Sequence, residues 1–128
     1  MNIEEMNIEE MKLKDILQLV NILKVNEVAV KQEDMRYVIV RTYSAGVFSG
    51  NIESRNGREV VLRNARRLYY WDGASTLSEL AQSGTYRPEN CKFPCEVDRI
   101  ELLEAIEIID TTAKAENSIK KVKIWTQK

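Results

Sequence analysis

Leu13, Ile16, Leu17, Val20 and Leu23 recur at steps of three and four, while Lys12, Lys14, Asp15 and Gln18 fall between them. That spacing puts the apolar set on one face of a helix, predicted over about residues 7–25. From Arg36 the period shortens. RYVIVRTYS is rich in β-branched and aromatic residues and reads as a strand. Gly46 supplies a bend or bulge, and AGVFSGNIES gives a second strand with a break at Gly50. Asn56-Gly57 is a strong hairpin signal, because the two central residues of that turn need positive φ. EVVLRNARRLYYW then completes the pair, with a possible bulge at Asn64-Ala65, before a turn at Asp72-Gly73.

Thr76-Leu-Ser-Glu79 fits a capping box, so a short helix is predicted over 76–83, stopped by Gly84. Pro88 and Pro94 punctuate an irregular loop. VDRIELLEAIEII is ambiguous: alternation at Ile100, Leu102, Ile106 and Ile108 favours strand, whereas Leu103 and the glutamates favour helix. Strand or bulged strand is the reading adopted. Asp110 or Thr111 then caps a last helix over about 112–121, and KVKIW closes as an edge strand. The fold class expected is α+β. A small antiparallel meander carries an N-terminal helix and two short helices in one domain. Residues 1–10, a tandem MNIEE, form a flexible repeat, and residues 11–128 the single α+β ligand-binding domain.

Composition narrows the function. The 128 residues are 44% hydrophobic and 30% charged with net charge −1, which argues against a protein that coats long nucleic acid. No apolar run reaches the ~20 residues that span a bilayer. The acidic start is unlike a secretory signal, so the chain reads as intracellular and without a membrane partner. Cys91 and Cys95 in CKFPC read as free thiols. With no histidine and two cysteines, no metal site is expected.

The missing histidine also removes the commonest general base. Ser44 and Ser49 lack a base signature, and no P-loop, nucleophile elbow or dinucleotide fingerprint is present. No catalytic residue and no cofactor is expected. The strongest remaining signal is RNARRLYYWDGAST, residues 63–76. In strand geometry Arg67, Tyr69 and Trp71 share one face, and Arg66, Leu68 and Tyr70 the other. Arginine can pair with a phosphate, and a tyrosine or tryptophan ring can stack on a base. The turn into Ser75 and Thr76 leads to helix amides that attract anions. Asn90 can pair with a base edge or a ribose hydroxyl. The candidate ligand-binding residues are therefore Arg66, Arg67, Tyr69, Trp71, Ser75, Thr76 and Asn90. Against this stands plain packing: strand aromatics as core, strand arginines as edge protection, and Asn90 as a turn former.

YVIVRTYSAGVFSG, RNARRLYYWDGASTLSELA and PENCKFPCEVDRI, within a span from about Tyr37 to Trp125, resemble the small bacteriophage and prophage anti-Thoeris sponge proteins. The resemblance implies a homo-oligomer with pockets near protomer interfaces. It implies a protein that sequesters a cyclic ADP-ribose isomer intact in the cytoplasm of an infected bacterial host. Some members are understood to hold cyclic oligonucleotides, so cyclic di- or trinucleotides are further candidate ligands. The candidate residues rest on their chemistry, not on the resemblance. The competing expectations are a phage structural or protein-interaction module with the aromatic strip as assembly surface, and a metal-dependent nucleotide-degrading enzyme.

Overall fold

The computed structural model describes residues 35–127. The N-terminal helix and the MNIEE repeat expected from the sequence lie outside the described residues. Five strands form one antiparallel sheet: β1 (Tyr37–Thr42), β2 (Val47–Asn56), β3 (Glu59–Arg67), β4 (Glu96–Leu102) and β5 (Ala105–Asp110). Two short helices, α1 (Leu77–Ser83) and α2 (Ala113–Lys121), complete it, with a 3₁₀ turn at Pro88–Asn90. The described residues are a single α+β domain.

The sheet order is β4-β3-β2-β1-β5, with every pairing antiparallel. β1, β2 and β3 form the expected meander. β4 and β5 lie at opposite edges, yet only Leu103 and Glu104 separate them along the chain. Two residues span too little distance to cross a flat five-stranded sheet. The sheet therefore coils until its edges meet at this corner, where the Ala105 N–H donates to the Arg58 carbonyl at 3.0 Å.

Coiling gives the sheet two buried faces. Val38, Val40, Phe48, Val60, Leu62 and Leu102 fill its inside. Tyr37, Ile39, Leu68, Leu80, Phe93 and Ile119 form a second core beneath the helices. β1 thus alternates between two cores and is buried from Tyr37 to Val40. Each large side chain buried there contributes roughly 1.5–3 kcal/mol against exposure. Tyr37 carries its hydroxyl inward and satisfies it by donating to Ser49 Oγ at 2.9 Å.

Several local readings shift. The hairpin forms, but its central residues are Gly57 and Arg58, with positive φ (62°) only at Gly57. That places glycine first, the pattern of a II′ turn. β2 runs unbroken through Gly50. The irregularity sits across from it in β3, where Asn64 takes φ 50° and the register shifts between Ser49 and Asn51. β3 ends at Arg67 and does not continue through the tyrosines; beyond it only Tyr70 makes a single bridge, to Lys92. The ambiguous segment is two strands, parted at Leu103-Glu104.

Both helix starts follow from capping. Thr76 caps α1 by accepting the Glu79 N–H at 3.2 Å, and Gly84 (φ 77°) ends it. α2 is capped not by Asp110 or Thr111, as expected, but by Thr112, and the Thr112 Oγ accepts the Ala115 N–H at 3.1 Å. KVKIW is not an edge strand. It is an extended strap in which Ile124 bridges Phe93 and the Trp125 N–H donates to the Phe93 carbonyl at 3.0 Å.

Candidate functional site

The strap and the segment after β3 bring aromatic and cationic side chains together at the surface. Tyr69, 63% exposed, stacks on half-buried Trp125 with ring centroids 5.3 Å apart and planes 7° from parallel. Lys92 lies between the rings beside them: its Nζ is 5.7 Å from the centroids of both Tyr70 and Trp125. The single backbone bridge from Tyr70 to Lys92 holds this arrangement in place.

Trp125 also forms one wall of a cleft of about 520 Å³, lined by Lys121 at the end of α2, by Lys123, Ile124 and Thr126 of the strap, and by Pro88, Glu89 and Cys91. Neither Lys121 nor Lys123 is in an ion pair among the described residues. The volume lies in the range of small-molecule sites. Two lysines, one carboxylate and an indole can receive a phosphate, a hydroxyl and a flat ring respectively.

The residues expected to form the site do not converge. Arg66 is 3% exposed, and four of its five N–H donors go to backbone carbonyls. Nε donates to Pro94, Nη1 to Ile119, and Nη2 to both Phe93 and Val122, at 2.6–2.9 Å. Its role is structural: it ties β3 to the loop before β4 and to the C-terminal end of α2, whose free carbonyls favour a cation. Burial pulls the guanidinium below the ordinary arginine value, with Tyr37 and Glu96 opposing. The expected phosphate contact at Arg66 is thus replaced by an internal clasp. Arg67 points the other way. It donates to the Ala45 carbonyl and lies over the Phe48 ring, 4.3 Å from its centroid.

Trp71 does not share an open face with Tyr69. The strand has already ended, and the indole packs half-buried against the second core. Ser75 donates to Glu79 Oε2 at 2.9 Å, and Thr76 is occupied as the α1 cap. Asn90 donates its amide to Asp72 Oδ2 at 2.9 Å, so it works as a turn former. With the Gly73 N–H and Arg87 beside it, this bond holds the Asp72 carboxyl below the ordinary carboxylate range. None of the seven lines the cleft itself; Tyr69 is joined to it through its stack on Trp125. The functional candidates absent from that set are Tyr70, Lys92, Lys121, Lys123 and Trp125. For Lys121, Lys123 and Trp125 the signal is present in KKVKIW, residues 120–125, which repeats the cation-and-ring mix of RRLYYW, where Tyr70 lies.

Residues 35–119 match the family described as Domain of unknown function (DUF6948). No curated protein and no solved structure matches the chain. Among the described residues, no helix is long and apolar enough to cross a membrane.

Proposed function

We propose that this chain, which belongs to the DUF6948 family, binds a small cyclic nucleotide without cleaving it. The finer reading is that of a sponge: it sequesters a cyclic ADP-ribose isomer, the immune signal, in the cytoplasm of an infected bacterial host and so keeps the Thoeris effector inactive. The observation that carries the binding is the exposed Tyr69–Trp125 stack at the edge of a lysine-bearing cleft. A base laid on such a platform gains about 1–3 kcal/mol from stacking. Lys121 and Lys123 line the same cleft as Trp125 and can pair with phosphates, and Glu89 of that lining can accept from ribose hydroxyls. The phosphate grip therefore belongs to lysines of the strap, in place of Arg66 and Arg67. The resemblance of YVIVRTYSAGVFSG and its companion segments to the anti-Thoeris sponges supports the choice of ligand.

The test is calorimetric titration of the purified chain with cyclic ADP-ribose isomers and with cyclic di- and trinucleotides, followed by recovery of the ligand after heating. Intact ligand released from a saturable complex is the expected result. Absence of binding to all of these overturns the reading, and conversion to a linear product replaces it with an enzyme.

A second reading is a protein-interaction module. Its support is the apolar exposure around the same platform, with Tyr70 at 49% and Ile124 at 54%. It predicts no nucleotide affinity, and loss of a protein complex on Ile124→Asp.

A further inference from the structure

Away from the corner where they meet, the two edges of the sheet are unpaired among the described residues, and they are guarded differently. β4 presents Glu96, Asp98, Arg99 and Glu101, all exposed, and charge of this density discourages another strand from pairing. β5 reads Ala-Ile-Glu-Ile-Ile-Asp, with no lysine or proline along it. Its register against β1 steps from Arg41↔Glu107 to Thr42↔Ala105, so Ile106 is the extra residue of a bulge and leaves its side chain 47% exposed.

Beside this edge lies a second cleft, of about 350 Å³, between β5 and the tip of the β2–β3 hairpin. Ile106 and Ile108 give it an apolar side, and Arg55 and Arg58 a cationic one. Glu107 is already held by Arg41, whose Nε donates to Glu107 Oε1 at 3.2 Å. Arg55 donates Nε only to the Gly57 carbonyl, at 2.9 Å. Neither Arg55 nor Arg58 has a carboxylate partner among the described residues. The Ala105–Arg58 backbone bond fixes the hairpin tip against the start of β5. Arg55 and Arg58 thereby line the same cleft as Ile106 and Ile108 of β5.

We infer that β5 and this cleft dock an extended acidic segment of another protein, which adds to the sheet as a sixth strand. Strand addition supplies the backbone bonds, and the alternation of side chains supplies selectivity. Carboxylates on one side of the incoming strand meet Arg55 and Arg58, and apolar residues on the other side cover Ile106 and Ile108. Charge complementarity selects an acidic partner over a basic one.

The probe is an acetylated and amidated hexapeptide alternating Glu and Val, titrated calorimetrically into the full chain. Two controls accompany it: Lys in place of Glu, and a Pro at the third position, which removes a strand donor. The Glu-Val peptide binds, both controls bind at least ~tenfold more weakly, and the double variant Arg55→Gln, Arg58→Gln loses at least ~tenfold in affinity. Peptide addition also slows amide exchange at β5 in the unaltered protein, a readout independent of any variant. No binding of the Glu-Val peptide overturns the inference, as does equal binding of the proline control. Concentration-dependent self-association that the double variant abolishes would overturn it too, because a second copy would then cover the edge.

Discussion

The ring of Trp125 lies parallel to that of Tyr69, 5.3 Å between centroids, and so joins the strap after α2 to the segment after β3. An offset-stacked pair of this kind is worth about 0.5–1.5 kcal/mol beyond its buried area. Its larger consequence concerns the proposed ligand, because Tyr69 remains 63% exposed in the stack.

Tyr69→Ala is therefore expected to leave the fold intact, shifting stability by about 1 kcal/mol. It should weaken nucleotide binding by about 1–3 kcal/mol, the value of one stacked base. Titration of the variant beside its urea unfolding curve separates the two effects. Affinity equal to that of the unaltered chain would remove the platform from the site.

Arg66→Ala should be far more damaging than Arg67→Ala. Four charge-assisted bonds end on Arg66 inside the protein, and its loss strands the Phe93, Pro94, Ile119 and Val122 carbonyls. A cost of at least ~3 kcal/mol is expected from a buried charged network, against under ~1 kcal/mol for the exposed Arg67. Arg66→Lys should recover little, because an ammonium cannot reproduce the planar fork. Chemical denaturation midpoints of the three variants decide it.

Gly73 and Gly57 both hold positive φ, yet alanine should affect them differently. At Gly57 an added Cβ meets nothing within 4 Å, so only the left-handed backbone is penalised, by about 1–2 kcal/mol. At Gly73 it would come within 2.4 Å of the Arg87 nitrogen and 2.7 Å of the Tyr86 nitrogen. Those are backbone atoms, and the Tyr86 N–H already donates to the Gly73 carbonyl at 3.1 Å. Gly73→Ala should thus lower the melting temperature well below that of Gly57→Ala and displace the turn that Asn90 and Asp72 share.

Two groups bound the pH range. Burial pushes the Tyr37 phenol up to about 12. A raised folded value means that the neutral form is favoured on folding. The stabilisation is complete below the unfolded value near 10 and is lost as pH rises through the folded one. At the acid end Asp72 is depressed, so its contribution is present above the ordinary carboxylate value and fades as pH falls below it. Unfolding midpoints measured across pH should fall at both ends. Tyr37→Phe should flatten the alkaline arm, and Asn90→Ala should move the Asp72 titration upward in a carboxyl NMR experiment.

The β1–β3 meander and the Thr76 cap were legible because their causes are local. Glycine at 57 and the Thr76/Glu79 spacing each act within a few residues, and the structure keeps both. The fate of Arg66 was not. Alternation puts it on the face of Leu68, but nothing nearby announces four carbonyls arriving from residues 93 to 122. Trp71 was misplaced because β3 stops at Arg67, where the chain leaves the sheet toward the second core. Trp125 is not legible as a candidate for a related reason: its stacking partner Tyr69 is brought alongside only by the folded chain.

A ribosome emits Arg66 long before the carbonyls of Ile119 and Val122. Until they emerge, water must solvate that cation, and the layer beneath the helices stays wet. Maturation of the nascent polypeptide therefore waits on α2, and an arrest product halted ahead of Ile119 should persist as a chaperone client while the early hairpins are already closed.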